Sequence, residues 1–341
     1  MNILFDLVHS ADVNLFKNSI YALSKNGENV IISYRERGKL SLIAKAELPD
    51  FKLNKIGEHK TKIVGKIISL IKREISAYIF LKKNKVEIIV TQGLTCGIAC
   101  KLLGVKILHY DDDIEYKTTY LIGKWLSDID LMPDFMPAKG KNIVKHFGYK
   151  ELAYLHPKYF KPNEFSLKAY NITAYNYIFI REISNISLNY KNKESLLPKI
   201  VKYISSLNIK ILLSIEDKNL TNLYSDNCII LKEPIVDIYS LIYFSSIVIS
   251  SGDTVARESC LTGTPCIYTG DREMLANNKL VEIGLMTKTT SLNEIIKTIN
   301  YEINSTHRIK KRNEILKLIT NHFDDTNEVL MHQIDILSKH K

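Results

Sequence analysis

The sequence predicts an α/β protein made of two Rossmann-like domains facing each other across a cleft. Three observations lead there. The chain has 341 residues, enough for two domains of ordinary size. Short β-branched runs alternate with segments of helical periodicity in two successive series. Between the series, around Leu155 to Pro162, the alternation breaks, and Pro157 and Pro162 bracket an aromatic, basic stretch that reads as a linker. The domains are therefore placed at 1–156 and 157–325, with a helical tail over 326–341.

Taken in order, residues 2–8 read as a strand, followed by the turn His9-Ser10-Ala11-Asp12. A helix from Val13 to about Lys25 carries Val13, Phe16, Ile20 and Leu23 on one face, and Asn26-Gly27 stops it before the strand Asn29 to Ser33. This βαβ opening lacks G-x-G-x-x-G, so no nicotinamide site is expected. Residues 61–85 read as one long helix in which Val64, Ile67, Ile68, Ile71, Ile75 and Ile79 form the core face. Lys62, Lys66, Lys72, Arg73, Lys82, Lys83 and Lys85 make it cationic, a solvated face that could also touch an anionic bilayer. Strand, helix and strand recur at Val86 to Val90, Cys96 to Leu103 and Val105 to Tyr110, and residues 128–131 read as a further strand. The second series has strands at Tyr177 to Ile180, Ile211 to Ser214, Cys228 to Ile230, Ile247 to Ile249 and Cys266 to Tyr268, with helices near 195–207, 236–244, 254–262 and 291–303.

Hydrophobic residues at 45% and charged residues at 25% are ordinary for a soluble globular enzyme. A net charge of +10 favours anionic partners. The five cysteines, Cys96, Cys100, Cys228, Cys260 and Cys266, are scattered and odd in number, which fits reduced thiols in a cytoplasmic protein. Cys96 and Cys100 read as small core residues rather than metal ligands. No signal peptide is expected, and no run reaches the ~18 apolar residues that span a bilayer.

The stretch Ser250 to Pro265 organises the second series. Asp253 and Thr254 are helix N-cap types, Ala256 to Leu261 suit a helix, and Gly263 and Pro265 end it. A strand, a Gly-containing turn and a helix N-terminus make an anion site, because free N–H groups and the helix dipole both favour negative charge. Glu258, about one turn inside, can accept hydrogen bonds from sugar hydroxyls. The same pattern equally suits a strand–turn–helix that holds no ligand.

Ser-Gly, then Glu six residues after the Gly, then Gly-x-Pro resembles the donor-site signature of the GT-B superfamily, which includes the peptidoglycan N-acetylglucosaminyltransferase and the UDP-N-acetylglucosamine 2-epimerases. The resemblance implies that Ser251, Gly252, Asp253 and Thr254 take a nucleotide diphosphate and Glu258 its ribose. Where the epimerases place a double Gly, this chain has Asp253-Thr254, and a carboxylate beside a diphosphate is unfavourable unless it caps the helix, points away or meets a cation. A second resemblance covers almost the whole chain. Phe147-Gly148-Tyr149-Lys150-Glu151-Leu152-Ala153-Tyr154-Leu155-His156-Pro157, the run His9 to Lys17 and the run Tyr110 to Glu115 are similar to segments of an archaeal and bacterial family grouped with the GT-B nucleotide-sugar enzymes. It implies a GT-B-like fold in which the tail 326–341 crosses back onto the first domain, and chemistry that needs no metal or other cofactor.

The catalytic candidates lie on first-domain loops after strand ends. By count back from Gly27, Asp12 falls where the peptidoglycan enzyme places a His thought to act as base, and other inverting relatives use an Asp there; Asp12 fits equally as a helix cap. His9 is a candidate for substrate binding or for a structural role. Asp111, Asp112 and Asp113 with Glu115 repel one another, which raises the pKa of some; they read as an acid or base, as sugar ligands, or as an acidic turn. In Gln92-Gly93-Leu94-Thr95, Leu94 stands where the epimerases carry a catalytic Asp, and Ile180-Arg181-Glu182-Ile183 lacks their second-domain His. Arg181 is a candidate clamp for the diphosphate. Arg272 and Glu273, after the strand ending at Tyr268, are candidates to reach the donor sugar, or a surface ion pair. The expected activity is transfer of a sugar from a nucleotide-diphosphate sugar to a glycan or polyprenyl-linked acceptor in surface polysaccharide biosynthesis. The alternatives are a nucleotide-sugar 2-epimerase, hydrolysing or not, and a binding protein without catalysis. The expected partners are thus the donor, the acceptor and an anionic membrane at its cytoplasmic face, not nucleic acid.

Overall fold

A computed structural model of the protein describes all residues except 61, 114–116, 184–195, 225, 227, 233–234 and 340–341. Glu115, one of the acidic candidates, lies outside the described residues, as does residue 195 at the start of an expected helix. The chain divides into two compact units, one of Met1–Tyr154 with Phe323–Lys341 and one of Leu155–His322.

The first unit runs β1 (Asn2–Leu7), α1 (Ser10–Lys25), β2 (Asn29–Glu36), α2 (Leu40–Glu47), β3 (Leu53–Glu58), α3 (Ile63–Lys83), β4 (Ile88–Thr91), α4 (Gly97–Leu103), β5 (Lys106–Tyr110), α5 (Lys117–Leu126), β6 (Ile129–Pro133), β7 (Ile143–His146) and α6 (Leu152–Leu155), whose last residue falls in the second unit. The second unit continues with β8 (Tyr177–Glu182), α7 (Leu197–Ser206), β9 (Lys210–Ile215), β10 (Ile229–Ile230), α8 (Ile238–Tyr243), β11 (Val248–Ser250), α9 (Asp253–Leu261), β12 (Cys266–Tyr268), α10 (Leu275–Glu282), β13 (Met286–Lys288), α11 (Leu292–Ile303) and α12 (Arg308–His322). The closing helix α13 (Thr326–Lys339) returns to the first unit.

Each unit holds one parallel sheet, ordered β3-β2-β1-β4-β5-β6-β7 in the first and β10-β9-β8-β11-β12-β13 in the second. Parallel strands covered on both faces need continuous apolar runs, and the inner strands supply them. On one face of the first sheet Phe5, Val90 and Leu108 pack with Phe16 and Ile20 of α1 and with Leu330 and Ile334 of α13. On the other, Leu4, Ile89 and Ile107 meet Ala77 and Leu81 of α3 and the buried Cys96 and Cys100, core residues as the sequence predicts. Buried polar contacts fix α13 in its unit: Ser19 Oγ donates to Asn327 Oδ1 at 2.8 Å, and Asn327 Nδ2 donates to Ala153 O at 2.8 Å. In the second unit Ile178, Ile211 and Ile249 form a core with Ile200, Ile204, Ile295 and Ile299.

The long basic helix exists, but its face assignment is overturned. Val64, Ile67, Ile68, Ile71, Ile75 and Ile79 are 49–69% exposed. The stripe turned to the sheet is Ser69, Arg73, Ala77 and Leu81 instead. Arg73, expected on the solvated cationic face, sets this register. Its guanidinium is fully buried, with Nη2 2.7 and 2.6 Å from the two oxygens of Asp6, a carboxylate equally buried near the carboxyl end of β1. An unpaired buried carboxylate costs far more than an exposed isoleucine, so the ion pair decides which face turns inward. α1 begins at Ser10 rather than Val13, which places Asp12 inside its first turn. No described helix is long and apolar enough to cross a membrane.

In each sheet the strand order reverses once, between β1 and β4 and between β8 and β11. Crevices beyond the carboxyl ends of strands at such points are where open parallel sheets bind ligands.

Candidate functional site

In the second unit the reversal falls at the organising stretch. β11 ends at Ser250, Gly252 is the N-cap of α9, and Asp253 opens the helix. Ser250 Oγ holds the turn, accepting from Gly252 N at 3.1 Å and donating to Gly252 O at 2.7 Å. Ser251 ties it to the end of β8: its N–H donates to Arg181 O at 3.0 Å, its hydroxyl donates to Glu182 Oε2 at 2.9 Å, and Ile183 N donates to that hydroxyl at 3.0 Å. Space at this position is tight: a Cβ on Gly252 would lie 2.8 Å from Ile183 Cγ2, so one of the two would have to shift. Asp253 meets a cation, the condition under which its charge is tolerable beside an anion. Arg272 Nη1 is 3.1 Å from its Oδ2, and the Tyr268 hydroxyl donates to its Oδ1. The first-turn N–H groups of Thr254 and Val255 have no acceptor among the described residues, and Thr254 is exposed.

The other candidates of this unit divide. Ser251, Gly252, Asp253 and Arg272 come together at the turn. Arg181 sits beside it but spends its guanidinium on Ser214 Oγ, at 2.7 Å, and on Glu216. Glu258 is on α9 as expected, 5% exposed and already partnered. Glu273 is paired not with Arg272 but with Lys288, whose ammonium hydrogen-bonds it and holds its carboxyl below the ordinary range.

In the first unit, loops after β1, β4 and β5 gather the remaining candidates. Asp12 Oδ2 accepts from Val8 N at 2.7 Å and His9 N at 2.9 Å, so the carboxylate caps α1. Its Oδ1 is buried with no partner among the described residues. Burial raises its pKa to about 7, against the pull of the two N–H groups and of Lys150. One residue thus serves as cap and as a carboxyl poised near neutrality. His9 is pushed down to about 4, by desolvation of the ring first and then by Arg37 and Lys150. Arg37 Nη1 lies 2.9 Å from its Nε2, which suits a neutral imidazole accepting a hydrogen bond, while the side chain keeps solvent exposure.

Asp111 and Asp112 are buried rather than an exposed acidic turn. Asp111 is raised to about 6 by desolvation, despite the charge of His109 and a hydrogen bond from Asp113 N. Asp112 is held by Gln92 Nε2 at 2.7 Å and by Lys150 Nζ at 2.7 Å. Lys150 is the residue of this cluster that the sequence does not single out. It lies in the resembling segment Phe147 to Pro157, but nothing local marks it as a partner for a carboxylate 38 positions away. Behind these groups His109 Nδ1 pairs with Asp130 Oδ1 at 2.9 Å and its Nε2 lies 3.3 Å from Gln92 O. Burial alone would lower the His109 pKa; the bond and charge of Asp130 outweigh it and hold it above the ordinary value. His109, Asp111 and Asp130 bring one ligand atom each within 4.8 Å of one another, a donor set that a divalent cation could use. As arranged, the two imidazole nitrogens face Asp130 Oδ1 and Gln92 O.

The chain belongs to the family described as Protein of unknown function (DUF354), whose model matches residues 1–334. An uncharacterised protein of Methanocaldococcus jannaschii, MJ0665, is 25% identical over 87% of this chain and 90% of its own length. Among solved structures, the M. jannaschii UDP-GlcNAc 2-epimerase, in complex with UDP-GlcNAc and UDP, superposes with a TM-score of 0.68 at 17% identity, covering 94% of this chain and 99% of that one. Acinetobacter baumannii MurG superposes with a TM-score of 0.60 at 15% identity, covering 99% of this chain and all of that one. The fold is therefore of the GT-B type, with one parallel α/β unit following another.

Proposed function

We propose that this member of the DUF354 family is a nucleotide-sugar enzyme that binds its donor's diphosphate at the β11–α9 turn. One observation carries the reading. At the strand reversal of the second sheet, the carboxylate at the head of α9 is charge-balanced by Arg272 and hydrogen-bonded by Tyr268, which leaves the helix N-terminus competent for an anion. The structural neighbours, one of them solved with UDP-GlcNAc and UDP, support UDP-N-acetylglucosamine as the first donor to try.

The reaction we favour is sugar transfer to a glycan or polyprenyl-linked acceptor, with Asp12 as the base. A pKa of about 7 suits a group that must take a hydroxyl proton near neutral pH. Asp12 is wholly buried here, so this role requires the turn at His9 to admit the acceptor. Lys150 holds Asp112 and biases Asp12 toward its charged form. A second reading, 2-epimerisation, is favoured by Asp111, a second carboxyl near neutrality, because moving a proton off and back onto a sugar carbon uses an acid and a base. Leu94 and the sequence Ile180 to Ile183 count against it, since neither place offers the proton-transfer group that the epimerases carry.

Incubating the full chain with UDP-N-acetylglucosamine, first alone and then with candidate acceptors, separates the readings by NMR of the sugar. Transfer needs the acceptor. Epimerisation changes the sugar without one. Binding without turnover in both arms leaves a sugar-binding protein.

A further inference from the structure

The outward face of α3 is the least expected surface of the first unit. Its isoleucines repeat at helical spacing, which is the pattern of a buried stripe, yet the stripe points to solvent: Ile67, Ile71, Ile75 and Ile79 are 56–62% exposed. Leu102 of α4, 72% exposed, lines the same surface, and the neighbouring α5 exposes Trp125 at 79%. Between α3 and α4 runs an apolar groove of about 430 Å³. Together these side chains leave roughly several hundred Å² open to solvent, at the upper end of what a monomer ordinarily exposes.

Charge selects what covers it. Lys66, Lys72, Lys82 and Lys83 are exposed along the same helix, with Lys101 and Lys124 on α4 and α5. The acid lining the groove, Glu74, is turned to α4, where it accepts from Ala99 N at 2.9 Å and Ile98 N at 3.3 Å. A two-fold contact with a second copy would set this cationic surface against itself. Anionic headgroups would neutralise it, while the isoleucine ridge and the indole enter the acyl boundary. We propose that the α3–α4–α5 face docks the protein on an anionic lipid bilayer, with the apolar ridge inserted and the lysines in the headgroup layer. The apolar contact is what the sequence pattern did not offer, because it places these isoleucines in the core. The surface stands apart from the reaction: an epimerase could carry it as well as a transferase, and docking is read without any donor.

Trp125 is the only tryptophan of the chain, so its emission reports this face alone. The full chain is mixed with phosphatidylglycerol or phosphatidylcholine vesicles at low and high salt. Co-sedimentation with the anionic vesicles only, a blue shift of Trp125 on binding, and release by salt are expected. Ile71→Glu with Ile75→Glu should abolish binding. Lys72→Ala, Lys82→Ala and Lys83→Ala together should lower the partition about a hundredfold at low salt, from about 1 kcal/mol per basic residue. These side chains are exposed, so melting temperatures should hold in both variants. Equal behaviour towards the two lipids at low salt would overturn the proposal. So would a vesicle-free dimer with already blue Trp125 emission that the double Glu variant dissociates, which would assign the face to a second copy.

Discussion

Arg272 Nη1 lies 3.1 Å from Asp253 Oδ2, and this ion pair balances the negative charge at the head of α9. Arg272→Ala should restore the repulsion between Asp253 and a bound diphosphate and weaken donor affinity about tenfold, the scale of one charge-assisted hydrogen bond. Asp253→Asn added to it should recover most of the loss. Titration calorimetry across the four proteins of the cycle gives the coupling. Additive losses would mean that Arg272 acts on the donor directly and not through Asp253.

Glu258→Ala should weaken nucleotide-sugar binding by roughly 1.5–3 kcal/mol if the carboxylate accepts hydroxyls of the donor. Glu258 is nearly buried, so the melting temperature is measured alongside. Unchanged affinity in a folded variant would remove Glu258 from the site.

Asp12 gives two readouts of opposite sense. As base, Asp12→Asn should lower turnover by roughly two to four orders of magnitude and remove a rise of kcat/KM with pH near 7. Stability should move the other way. The folded-state pKa is raised, so between about 4 and 7 the folded state binds a proton that the unfolded chain releases, and the native protein loses stability as pH rises through that window. The amide keeps an oxygen for the N–H groups of Val8 and His9 and carries no charge. Asp12→Asn should therefore gain roughly 2–4 kcal/mol over wild type at pH 8, on the scale of 1.36 kcal/mol per pKa unit, and little near pH 4. Urea melts at the two pH values check it; equal differences at both would mean that the buried carboxyl titrates normally.

Asp6→Asn should unfold the first unit's core most readily. It leaves the Arg73 guanidinium buried opposite a neutral amide, a loss on the order of 3–5 kcal/mol. A small shift in the urea midpoint would show that water reaches Arg73.

How much of this was legible in the sequence follows from where the signal is local. Strands such as Ile88–Thr91 and Cys266–Tyr268 are short apolar runs between punctuating residues, and the turn at Gly252 advertises itself by composition. β3, Leu53–Glu58, is an outer strand with a mostly polar sequence in which Ile56 alone is fully buried, so it has no such run. The inward face of α3 is not legible, because periodicity finds an apolar stripe but cannot say that a buried Asp6 claims the opposite face. The sequence shows the charge of Asp253 but not its balance by Arg272 and Tyr268, which depends on strands that meet only in the folded sheet. Lys150 escaped for the same reason, since its partner Asp112 belongs to a different strand end.

The central claim is that the β11–α9 turn holds a nucleotide diphosphate, and Gly252→Ala tests it most directly. The added methyl would meet Ile183 Cγ2 at 2.8 Å and displace the turn while touching no charge and no proposed catalytic group. Calorimetric titration of UDP-N-acetylglucosamine and of UDP should show saturable binding to wild type and at least tenfold weaker binding to Gly252→Ala, with both proteins folded. Absence of binding by wild type, or equal affinity in the two, would contradict the account.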